Sequence, residues 1–164
     1  MSKTCIVTGA SRGIGRAVAI ALSDREDITN FVLISRTKAG LKETARLMND
    51  NKRIAYYAMD LTQYDEVKQL IHEVGEQYGT IDMLINVAGY ANPKSLLETS
   101  IEDWEKTYQV NVHALFNITK ESVKFMKKTG GKILNVASTA GSSARPGCHF
   151  CCYFAPIFKC YFAL

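Results

Sequence analysis

At 164 residues the chain is long enough for one compact domain and too short for two. Apolar residues at 47% support a packed core and exclude disorder as the default state. The net charge of +4, with no dense Lys/Arg cluster, gives no support to nucleic-acid binding.

The first predicted strand is Lys3 to Thr8, and the stretch Thr8-Gly9-Ala10-Ser11-Arg12-Gly13-Ile14-Gly15 follows it. Three glycines at this spacing let backbone approach a ligand closely and turn sharply into a helix, read as Gly15 to Ser23. Amide hydrogens at that helix start, with the helix dipole behind them, favour an anion such as a pyrophosphate. A plain glycine turn is the bland alternative. Phe31 to Ser35 is a continuous apolar run, the pattern of a strand buried on both faces. Lys38 to Asn49 reads as a helix and Ile54 to Met59 as a third strand. Thr62 is placed to cap the next helix, whose Val67, Leu70, Ile71 and Val74 recur at helical spacing up to Tyr78. Ile81 to Asn86 is the fourth strand, and a loop runs from Ala88 to Ser100. Thr99 or Ser100 then caps one long helix carrying Ile101, Trp104, Tyr108, Leu115, Phe116, Val123 and Met126, which Gly130-Gly131 stops. Ile133 to Ala137 is the fifth strand. The alternation predicts an α/β fold, a Rossmann-type doubly wound parallel sheet, incomplete at five strands. The dinucleotide-binding domain is expected over 1–147, and 148–164 as an atypical Cys/Phe-rich tail.

These residues resemble the short-chain dehydrogenase/reductases from about Ser2 to Gly147. The resemblance is carried by the turn at Thr8 to Gly15, Asp60-Leu61 after the third strand, Asn86-Val87-Ala88-Gly89, Asn111-Val112 and Asn135 to Ser138. It implies a cofactor site of Gly9, Ser11, Arg12, Gly13, Ile14, Gly15, Arg36, Asp60, Leu61, Asn86, Ala88 and Gly89. An acidic residue after the second strand would bind a ribose 2′-OH and select NAD(H). Ser35-Arg36 stands there instead, and Arg36 with Arg12 suits a 2′-phosphate, so NADP(H) is preferred. The alternative is that both arginines are merely solvated. The resemblance gives Asp60 the adenine amino group, while helix capping near Thr62 is its plainer role. Asn111 is either a satisfied core amide or, as the resemblance implies, a residue that bends its helix and holds a water in a proton relay. Ser138 ends the fifth strand, where open α/β sheets place ligands, and its hydroxyl is expected to polarise a substrate carbonyl. The implied reaction interconverts a small-molecule carbonyl and alcohol, as 3-oxoacyl-carrier-protein reductases do.

The family's chemistry also needs a Tyr and a Lys four residues later on one helix face, where the ammonium lowers the phenol pKa. Tyr153 is the only Tyr near the expected place, and four residues on stands Ile157. Lys159 comes six on, nearly opposite on a helix of about 3.6 residues per turn, and Pro156 disfavours a continuous helix. Tyr153 therefore stands as the candidate proton donor without the lysine partner, and the expectation is absent or very low turnover, leaving a binding-only NADP(H) protein as the rival reading. The tail after Gly147 is read as the product of a frame shift or alternative exon. A bare fifth-strand edge is expected to make the protein a homo-oligomer or aggregation-prone, with the tail partly covering the gap. Four of the five cysteines, Cys148, Cys151, Cys152 and Cys160, crowd that tail without a second C-x-x-C pair, so no metal site is assigned. The start lacks a basic n-region and apolar h-region, and the tail is too short for a membrane span. A cytoplasmic protein with no membrane partner is expected.

Overall fold

The computed structural model describes residues 2–92, 94–95, 97–126, 130–138 and 162–163. β1 (Lys3–Thr8), β2 (Ile28–Ser35), β3 (Arg53–Ala58), β4 (Met83–Asn86) and β5 (Lys132–Asn135) are mutually parallel. Between them run α1 (Gly13–Ser23), α2 (Lys38–Leu47), α3 (Tyr64–Tyr78), α4 (Ile101–Tyr108) and α5 (Ala114–Met126). The sheet order is β3-β2-β1-β4-β5-β6, so the doubly wound α/β fold expected from the sequence is the one observed. The five parallel strands are those expected, and the sheet carries one more. A sixth strand, β6 (Phe162–Ala163), pairs antiparallel with β5 through Ile133 and Lys132. An apolar two-residue segment can satisfy the amides of an open strand edge, and here the tail supplies it.

Side chains alternate across a strand, and the apolar strands therefore feed two cores. Ile6, Val32 and Ile34 pack with Val67, Ile71 and Val74 of α3 and Ile118 and Met126 of α5. Cys5, Val7, Phe31 and Leu33 pack with Ala19 of α1 and Leu41 of α2 on the other face. Phe31, Val32, Leu33 and Ile34 are all fully buried, as a strand covered on both sides should be. α3 and α5 meet closely at Gly75, where an added Cβ would lie 2.2 Å from the Phe125 ring.

Two helix readings change. Thr62 does not cap α3: Gln63 holds the N-cap position, and Thr62 instead donates its N–H and hydroxyl to Asp60 at 3.0 and 2.9 Å. Ser100 does cap α4, accepting from the Asp103 N–H at 3.1 Å. The single long helix expected after it is broken by one π-helical turn, Gln109–His113. Ala114, Ile118 and Met126 are buried, but Ile101 is 69% and Phe116 58% exposed.

Candidate functional site

The sheet order reverses between β1 and β4, and open α/β sheets leave a crevice at such a point. A cavity of about 650 Å³ lies there, at the carboxyl ends of the strands. Ser11 to Gly15 line it from the turn after β1, and Ser35, Arg36, Thr37 and Gly40 from the end of β2 and start of α2. Met59, Asp60 and Leu61 follow β3, Val87, Ala88 and Gly89 follow β4, and Val110 and Ala114 enter from the π-turn and α5.

The turn is built for close backbone approach. A Cβ on Gly15 would lie 2.3 Å from the Gly9 carbonyl oxygen, so only glycine lets α1 start this near β1. Gly13 has φ +55°, and a Cβ there would meet nothing within 4 Å, so bare backbone faces open space in the cavity wall. α1 has no side-chain cap and no acidic residue in its first turn, and the same holds for α2. α3 and α4, in contrast, open with Asp65-Glu66 and Glu102-Asp103. A carboxylate at a helix start satisfies its orphan amides and its dipole. The two helices that begin at the cavity leave both unanswered, which fits an anionic guest at two places. Arg12, the N-cap residue of α1, and Arg36, before α2, are exposed on the lining, with no ion pair to either among the described residues. Asp60 is the carboxylate of the lining, and one of its oxygens already closes the turn to Thr62.

The described structure gathers eleven of the twelve expected cofactor residues around one cavity: Gly9, Ser11, Arg12, Gly13, Ile14, Gly15, Arg36, Asp60, Leu61, Ala88 and Gly89. Asn86 is the exception. Its side chain is buried between the sheet and α5, donating to Asn135 Oδ1 at 3.0 Å and Thr119 Oγ1 at 3.3 Å, and it is not part of the lining. Asn111 sits inside the π-turn and spends its amide on the loop after β4, accepting from the Tyr90 N–H at 2.7 Å and donating to the Tyr90 carbonyl at 2.8 Å. π-turns often mark functional sites. Ser138 is exposed and lies three residues beyond β5, outside the lining residues. Tyr153 and the cysteine- and histidine-bearing tail lie outside the described residues.

Sequence reasoning missed what braces the cavity. The buried Thr8 hydroxyl accepts from the N–H groups of Val87 and Ala88 at 3.0 and 3.1 Å, tying the glycine turn to the loop after β4. A hydroxyl residue closing an apolar strand was the available signal. Arg16 and Thr44 make a second brace toward α2, for which local sequence held no signal.

A doubly wound sheet with a glycine turn, two helix starts free of acidic residues and a crevice at the order reversal defines a fold of the Rossmann type. Residues 3–156 match the family model for short chain dehydrogenases. The 3-oxoacyl-[acyl-carrier-protein] reductase FabG of Thermotoga maritima is 32% identical over 148 residues, which are 88% of this chain and 59% of the relative. A 3-oxoacyl-[acyl-carrier-protein] reductase from Synechocystis is 36% identical over 149 residues, 89% of this chain and 60% of that one. An NAD+-bound xylitol dehydrogenase superposes with a TM-score of 0.86 at 27% identity, over 94% of this chain and 60% of the other. The alcohol dehydrogenase of Thermococcus sibiricus, complexed with 5-hydroxy-NADP, has a TM-score of 0.86 at 27% identity, over 94% and 66%. The chain belongs to the short chain dehydrogenase family. It spans about three-fifths of the length of the curated relatives it matches, 59% and 60% in these two. Among the described residues no helix is long and apolar enough to cross a membrane.

Proposed function

We propose that residues 1–147 form the cofactor-binding domain of an NADP(H)-dependent oxidoreductase acting on a carbonyl/alcohol pair. The observation that carries this reading is the pairing of two acid-free helix starts with Arg12 and Arg36 around one cavity. One helix start suits a pyrophosphate, as its bare glycine backbone allows. The other, beside Arg36 and Thr37, suits a 2′-phosphate, for which guanidinium forks give charge-assisted bonds. The family binds both nicotinamide dinucleotides, so the preference rests on these residues of the chain itself.

A bound nicotinamide would supply the hydride. Ala88 and Gly89 would leave room for its ribose, and Asp60 would take the adenine end. Asn111 holds Tyr90 and so fixes the loop that carries Ala88 and Gly89. Ser138 would hydrogen-bond the substrate oxygen, and Tyr153 would donate the proton. The names of the reductase relatives suggest a 3-oxoacyl thioester as the substrate class. The exposed Ile101 of α4 and Phe116 of α5 support self-association, because solvent-facing apolar side chains are costly unless covered.

A second reading has its own support. Ile157 stands where the family places the lysine that activates the tyrosine, which favours NADP(H) binding without turnover. Calorimetric titration with NADPH and NADH tests the binding claim, and loss of reduced-nicotinamide absorbance with a panel of ketones and 3-oxoacyl thioesters tests turnover. Tighter binding of NADPH is expected. Folded protein that binds neither nucleotide would end both readings, and binding without oxidation of NADPH would select the second.

A further inference from the structure

Arg16 lies in the first turn of α1, yet it is absent from the cavity lining. Its side chain folds back under the glycine turn. Nη2 donates to the Ser11 carbonyl at 2.6 Å and to the Gly40 carbonyl at 3.4 Å, and Nε donates to Thr44 Oγ1 at 3.1 Å. The Thr44 hydroxyl, fully buried, passes the chain on to the Ala10 carbonyl at 2.7 Å. One guanidinium thereby joins residues 10 and 11 of the turn to residues 40 and 44 of α2. The joint has no slack, since a Cβ on Gly40 would lie 2.8 Å from both Cβ and O of Ser11. Arg36 and Thr37 stand immediately before α2, so any sliding of α2 against the turn moves them relative to Ser11 and Arg12.

We propose that Arg16 is a positioning residue that sets the separation between the two anion-ready helix starts. It thereby selects a 2′-phosphorylated dinucleotide that it does not touch. The inference rests on the NADP(H) reading above and adds the element that holds its two ends in register. The bonds involved are charge-assisted and partly shielded from water, the class whose loss is felt most. A ligand that engages only the turn tolerates a shifted α2, whereas one that must reach both ends does not.

The test is titration of wild type, Arg16→Met and Arg16→Lys with NADPH and with NADH, each protein first checked by circular dichroism. Methionine keeps the stem and removes every donor. Arg16→Met is expected to weaken NADPH about tenfold or more and NADH less than about twofold. Arg16→Lys is expected to recover part of the NADPH affinity, since an ammonium can serve the Ser11 carbonyl but cannot also span to Thr44. Should Arg16→Met not fold, Thr44→Val, which removes the acceptor of Nε, decides by the same ratio. Equal weakening of both nucleotides, or an unchanged NADPH-to-NADH ratio, overturns the proposal while tight wild-type NADPH binding leaves the NADP(H) reading standing. Wild-type protein that binds NADPH no better than NADH removes that reading and this proposal together.

Discussion

Replacing Thr8 by valine removes one hydroxyl and keeps the branched shape that suits a strand. Thr8 is 1% exposed, and its oxygen accepts two N–H groups, from Val87 at 3.0 Å and Ala88 at 3.1 Å. A buried donor left without a partner costs about 1–3 kcal/mol. Both donors here are only half-buried, so water recovers part of the loss and Thr8→Val should cost about 2–3 kcal/mol. Thr8→Ser is the decisive control. It keeps the acceptor and deletes one methyl, a loss of about 1 kcal/mol. Urea unfolding followed by far-UV circular dichroism gives both numbers, and NADPH titration should show the larger loss of affinity in Thr8→Val. If the serine variant proved the less stable of the two, the hydroxyl would not be the brace described, and methyl packing would explain Thr8 instead.

Gly75→Ala places a methyl 2.2 Å from the Phe125 ring, so α3 and α5 must separate; thermal melts should show a loss of about 1–3 kcal/mol, partly recovered by Phe125→Leu. The Cys5 thiol is pushed up to about 12 by burial and then by the nearby Asp82 carboxylate. It should stay unlabelled by iodoacetamide at pH 8 in native protein and react after unfolding, as read by peptide mass mapping. Because its folded pKa is raised, its contribution is complete below the unfolded thiol value and is lost as pH climbs toward about 12. At the acid end, the Lys94 hydrogen bond holds Asp103 below the usual carboxylate range, as Arg46 does for Glu43 and the Ser95 hydroxyl for Glu98. These depressed groups stabilise above the unfolded carboxylate value and lose that contribution as pH falls through their folded values. Denaturation midpoints should therefore be flat from about pH 5 to 8 and fall below about pH 4; a midpoint unchanged down to about pH 2 would remove this account.

Much of the site was legible because it is local chain chemistry. The glycine spacing after β1, Asp60 after β3 and Ala88-Gly89 after β4 each sit at a strand end, and a parallel sheet brings all such ends to one side. Asn86 misled the same logic by one residue. It is still in the strand, where successive side chains alternate, and its amide turns to Thr119 of α5 and to Asn135 of β5 and is not part of the cavity lining. Apolar periodicity is good on both sides of Asn111 and by itself predicts one long helix. The bend at Asn111 was implied by the family resemblance and not by periodicity; the partner of its amide, Tyr90, lies 21 residues away and no local pattern encodes it.

By itself, then, the order of residues determined the strand–helix alternation, the buried character of β2 and the chemistry of the turn, since these follow from periodicity and from what each residue type tolerates in its own backbone. Tertiary structure alone decided which strands are neighbours and which stripe of α4 and α5 stays in solvent. It also decided that Thr8, Arg16 and Thr44 brace the cavity. Thr8 meets Val87 and Ala88 across 79 and 80 positions, and Arg16 meets Thr44 across 28. A hydrogen bond at such separation depends on where the packed elements come to rest, and packing is a property of the whole sheet rather than of any one segment.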